Sequence, residues 1–169
     1  MIFDDSLMGQ LIRFVSSHEI GHTLGMQHNF AASSAYPVEK LRDKDFLKKY
    51  GHTSSIMDYC RFNYVAQPED SIPQQYLFPR IGKYDYWCIE WGYRLFPDIE
   101  SPKDEVSMLN DWIIEKTADR YIWFGSGYTG EDPRSQSEDL GDNQMVANAY
   151  GIKNLKRIME NLPQWTAEP

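Results

Sequence analysis

His18, Glu19, His22, Gly25 and His28 follow the order H-E-x-x-H-x-x-G-x-x-H, and this spacing limits the fold more than any other feature of the chain. On one helix, His18 and His22 lie about 40° apart around the axis and about 6 Å apart along it. Their imidazoles can therefore converge on one ion. Leu11, Val15, His18 and His22 share a helix face, so the pair is expected to point inward. An unbroken helix would carry His28 about 15 Å beyond His18 and onto another face. A zinc–nitrogen bond is only about 2.1 Å long. The helix must stop and the chain must turn back. Gly25, three residues after His22, is the residue type that ends helices in a left-handed conformation.

Glu19 is adjacent to the first histidine and is not required as a ligand. Three neutral histidines leave a fourth zinc position for water, whose pKa falls to about 7 on the metal. A carboxylate beside that water takes its proton and passes it to a leaving amine. The expected chemistry is amide hydrolysis with Zn2+ as cofactor, His18, His22 and His28 as ligands and Glu19 as general base. Two other readings compete: a non-catalytic zinc-binding or protein-interaction module, and a purely structural helical domain. The last leaves the convergence of three histidines unexplained, and the intact Glu19 favours the enzyme.

The rest of the chain is expected to be mainly helical with long loops. Helices are predicted over about 6–24, 40–49, 83–92 and 101–118, and over 143–161, where Pro163 should end the last one. Met145, Ala149, Ile152, Leu155, Ile158 and Met159 should share one face of it. "RYIWFG" at 120–125 suggests a short strand. The loop acids Glu131, Asp132, Glu138, Asp139 and Asp142 lack EF-hand spacing; they read as a solvated loop, with Asp142 a candidate cap for the last helix. His52 lies outside the motif and is assigned a surface or packing role. The Tyr/Trp cluster at 84–93 reads as core.

The chain has 169 residues and a net charge of −8. That charge opposes nucleic-acid binding, which needs a basic patch. No apolar run approaches the ~20 residues of a membrane span. The two cysteines, Cys60 and Cys88, are too few for a disulfide framework; they could bridge each other or stay free, with the free state favoured.

The eleven-residue spacing is the metzincin signature. "SSIMDYC" resembles the turn that metzincins place beneath the metal, with Met57 as its methionine. Together with "SSIMDYCRFNYVAQPED", "IGKYDYWCIEWGY", "DPRSQSEDLGDN" and "YGIKNLKRIMENLPQWT", the motif "HEIGHTLGMQHNF" resembles the bacterial Met-zincin family of zinc-dependent metallopeptidases over about 5–166. The resemblance implies that Tyr59 stands close to the zinc, as a ligand of the resting metal or a donor to the oxyanion. Cys60 occupies the place of an expected proline and should pack. Exported parent proteins, in the periplasm, at the cell surface or secreted, are also implied.

Metzincins place a twisted sheet before the zinc helix, and its edge strand binds the peptide in extended form. Residues 1–169 are therefore expected to form the lower, zinc-binding half of a metzincin-like α+β catalytic domain, without its upper sheet. Residues 5–66 would hold the zinc helix, third-ligand loop and Met-turn; 67–169 would form a helical C-terminal subdomain. The rest of a longer parent chain would supply the sheet. The expected partner is a peptide or protein substrate. The isolated fragment should hydrolyse peptides poorly, and its uncovered face could self-associate.

Overall fold

The protein is described by a computed structural model covering residues 4–127 and 132–167. Five α-helices appear among the described residues: α1 (Asp5–Thr23), α2 (Lys44–Tyr50), α3 (Lys83–Tyr93), α4 (Pro102–Lys116) and α5 (Gln144–Thr166). Short 3-10 turns and long loops connect them, and no strand is found among the described residues. No described helix is long and apolar enough to cross a membrane.

Local chemistry sets the ends of α1. Asp4 accepts the Leu7 N–H at 2.9 Å, satisfying one of the unpaired donors of the first turn. At the other end, Gly25 adopts φ +83°. Its N–H reaches the His22 carbonyl, and the Met26 N–H reaches that of Gly21, both at 3.0 Å. This pair of bonds is a Schellman motif, and it reverses the chain directly after the second histidine.

The larger core packs Tyr36, Val38, Leu41, Cys60 and Val65 against Leu140 and Ala147. It therefore joins the middle of the chain to the start of α5. A smaller core of Met26, Ile56, Met57, Tyr84 and Ile122 lies against α1 and α3. Cys60 is fully buried and Cys88 half-buried, both as free thiols.

Several local expectations are corrected. The helix expected over 40–49 is two elements, a 3-10 turn at Val38–Arg42 and then α2. Asp43 breaks them apart because its carboxylate caps α2, accepting the Asp45 and Phe46 N–H groups. "RYIWFG" is not a strand: Arg120–Ile122 is a 3-10 turn capped by Asp119. Beyond it, one carbonyl, that of Gly125, accepts both the Phe30 and Ala31 N–H groups, so no ladder forms.

The last helix continues through Pro163 to Thr166. A proline so near the end costs one backbone bond, and the exposed last turn tolerates its loss. The apolar face of this helix is largely open to solvent: Met145 is 85% exposed and Met159 71%. The core side of α5 is Val146, Ala147 and Tyr150, followed by Asn154, which donates to the Tyr64 and Ala66 carbonyls at 2.9 Å.

The acidic loop is engaged rather than simply solvated. Asp132 pairs with Arg134, and Glu138 pairs with Arg61. Asp139 is buried and accepts from Ser33 at 2.6 Å. Asp142 accepts the Val38 N–H, while Asn143, not Asp142, caps α5. Glu131 lies outside the described residues. His52 has the packing role, fully enclosed, with Nε2 on the Arg61 carbonyl at 3.0 Å.

Candidate metal centre

α1 supplies His18, Glu19 and His22, and the turn at Gly25 returns His28 to them. The ligand atoms of the three histidines all lie within 4.8 Å of one another. Backbone carbonyls fix which nitrogens face inward. His18 Nδ1 lies 2.8 Å from the Ile56 carbonyl, and His22 Nδ1 lies 2.9 Å from that of Met26. A carbonyl only accepts, so each Nδ1 carries the proton. Each Nε2 is left with a lone pair, the form a metal requires.

Two observations show that a cation fits here. His18 Nε2 is buried and has no hydrogen-bond partner among the described residues, a costly state for a polar atom. His22 Nε2 and His28 Nε2 stand 3.1 Å apart. Tetrahedral ligands at about 2.1 Å from zinc are themselves about 3.4 Å apart. Burial, then the neighbouring His22 and His18, hold the His28 imidazole below its usual pKa, with Glu19 opposing. The net effect favours the neutral His28 ring, the form that can act as a ligand.

Tyr59 packs its ring against two of these histidines, with centroids 4.3 Å from His28 and 5.4 Å from His18. A recess of about 190 Å³ beside the cluster is lined by Val15, His18, Glu19, Asp58, Tyr59 and Arg61. Glu19 and Tyr59 thus flank one opening next to the three histidines.

Met57 is wholly buried and lies against Gly21, where an added methyl group would overlap the Met57 sulfur. The Met57 carbonyl also accepts the Asn29 N–H at 3.0 Å, which ties the turn to the residue after His28. Asn29 reaches on to the 123–125 segment, donating to the Trp123 carbonyl and accepting the Gly125 N–H.

Asp85 secures the turn from the other side. Its carboxylate accepts Ser55 Oγ–H at 2.6 Å and the Ile56 and Gly82 N–H groups at 2.7 Å. Burial raises its pKa while these three donors lower it. Ile56 is the residue whose carbonyl orients His18, so Asp85 acts on that histidine through one residue. Gly82 admits this approach because a side chain there would collide with the Ser54 backbone.

Sequence reasoning missed Gly21, Gly82 and Asp85. Only the small residue within H-E-x-G-H hinted at Gly21. Asp85 looked like one more acid at a helix start, since nothing in the sequence places it against residue 56.

No curated protein and no solved structure matches the chain. A sequence model of the family described as Met-zincin matches residues 1–169. With the whole length matched and three histidines gathered around one point, this chain belongs to the Met-zincin family.

Proposed function

We propose that the chain is the zinc-binding part of a metalloendopeptidase, in which His18, His22 and His28 hold Zn2+ and Glu19 is the general base. The observation that carries this reading is the inward set of Nε2 atoms, one of them buried and unpartnered, opening beside Glu19. Zinc, when bound, would polarise the scissile carbonyl and acidify a water. Glu19 takes the proton of the attacking water and delivers it to the leaving amine. Tyr59 donates a hydrogen bond to the carbonyl oxygen as charge develops there. Met57 supports the ligands from below through its contact with Gly21.

The same reading accounts for exposed apolar side chains on α1, where Ile12 is 58% exposed, Val15 52% and Ile20 57%. A sheet from a longer parent chain would bury them and align the peptide. The 169-residue chain alone should then bind zinc yet turn over peptides slowly.

Peptide hydrolysis by the natural full-length protein, compared with its Glu19→Gln variant, tests the assignment. The variant should keep its zinc and lose at least about a thousandfold in kcat, the combined scale of lost proton transfer and activation. Zinc-loaded protein that hydrolyses no peptide with Glu19 in place would favour the non-catalytic module instead.

A further inference from the structure

The recess beside the histidines contains one cationic group, Arg61, and its geometry is unusual. Arg61 has φ +56° and its ion-pair partner Glu138 has φ +68°, a left-handed region that L-residues with side chains avoid. Backbone held there against its preference commonly marks a functional constraint. The two residues are also tied through the site, since the Glu138 N–H donates to the Tyr59 carbonyl at 2.8 Å.

Arg61 is anchored by its stem, not by its tip. Nε donates to both Glu138 oxygens, at 2.9 and 3.1 Å, and the guanidinium carbon lies 5.3 Å from the Tyr59 ring centroid. No hydrogen bond from either terminal nitrogen is found among the described residues. The paired terminal N–H groups form the fork that binds a carboxylate through two parallel bonds. Fixing the stem lowers the entropy lost when the fork is used. Asp58 in the same wall is buried; its Oδ2 accepts from Thr53 at 2.8 Å, while Oδ1 has no hydrogen-bond partner among the described residues.

We propose that Arg61 is a specificity-determining residue that takes a carboxylate of the peptide substrate in this recess, beside Glu19 and His18. This rests on the peptidase reading above. The carboxylate comes either from an acidic side chain of the substrate or from its C-terminus, and both present the same planar pair of oxygens. The exposed Arg61–Glu138 pair is no obstacle: it uses only Nε, and exposed pairs of this kind hold weakly.

The test is peptide binding to the zinc-loaded, full-length Glu19→Gln protein, followed by fluorescence anisotropy. One set of C-terminally amidated peptides carries a single Glu moved through an otherwise neutral sequence. A second set replaces that Glu by Gln, and a third is the Gln sequence with a free C-terminus. At least one carboxylate peptide should bind about tenfold or more tightly than its amidated Gln twin, the scale of a charge-assisted bond. The first set assigns the carboxylate to a side chain and the third to the terminus.

Adding Arg61→Gln should abolish the preference and leave affinity for the Gln peptide unchanged, which a merely structural role would not do. Adding Glu138→Gln instead, which keeps the fork, should preserve the preference. Equal affinities across the sets, no binding of any peptide, or a preference that survives Arg61→Gln would overturn the proposal. Turnover by the wild-type protein is followed in parallel. Lack of turnover with an Arg61-dependent preference would remove the peptidase reading and leave the carboxylate site standing.

Discussion

Gly21 and Met57 are fitted to each other: the helix can rest on the methionine sulfur only because residue 21 has no side chain. His18 and His22 flank that contact, so the turn beneath the site sets the height of both imidazoles. In Gly21→Ala, overpacking against buried Met57 costs about 1–3 kcal/mol, while helix propensity returns about 1 kcal/mol. The net expectation is a loss on the order of 1 kcal/mol in urea unfolding, with weaker zinc binding. Unchanged stability and zinc affinity would show that Met57 moves aside freely.

Asp85 should matter to the metal although it never approaches it. Asp85→Asn keeps the shape but presents an amide to three donors, in place of the carboxylate that accepts all of them. Losing hydrogen bonds to a buried charged group costs about 1.5–3 kcal/mol. Loosening the peptide that orients His18 should lower zinc affinity roughly 10- to 100-fold. Calorimetric titration with zinc checks this; an affinity equal to wild type would confine Asp85 to a folding role.

Tyr59 separates binding from chemistry. Its ring lies on His18 and His28, and its removal to phenylalanine leaves that packing in place. Tyr59→Phe in the full-length protein should retain zinc and lose on the order of a hundredfold in kcat, as when one oxyanion donor is removed. A fall in zinc content with unaltered kcat per bound zinc would identify Tyr59 as a metal ligand only.

How much the sequence reveals depends on how local each cause is. The return of His28 follows from Gly25 because the break and the ligands lie within eleven residues. The caps at Asp4 and Ser101 are local in the same way. The face of α5 is not, because Asn154 and Ala147 are chosen by partners 88 to 111 positions earlier, at Tyr64, Ala66 and Tyr36. A count of apolar residues along the helix points to the wrong side. Asp85 was illegible for the same reason, its partners being the turn at 55–56. The strand reading of 120–125 failed because β-branched and aromatic content signals extended chain but supplies no neighbouring strand.

His52 predicts a pH dependence. It is enclosed, and burial pushes its pKa down to about 4, while the unfolded side chain titrates near 6.5. Above about pH 6.5 both states are neutral and the group is without effect. As the pH falls from about 6.5 to about 4, only the unfolded chain takes the proton, so stability declines. The loss approaches about 3 kcal/mol at the lower limit. Urea unfolding in a chelator, compared between wild type and His52→Gln, should show a steeper acid decline in wild type across this window. Parallel curves would mean that His52 is protonated in the folded state.

The central claim is that His18, His22 and His28 together hold one zinc ion. Zinc K-edge absorption on protein reconstituted with one equivalent of metal tests it most directly. Bound zinc should show three imidazole nitrogens and a light-atom ligand at about 2.0–2.1 Å, with loss of one imidazole signal in His28→Ala. A sulfur ligand at about 2.3 Å, or a spectrum unaltered by His28→Ala, would contradict it.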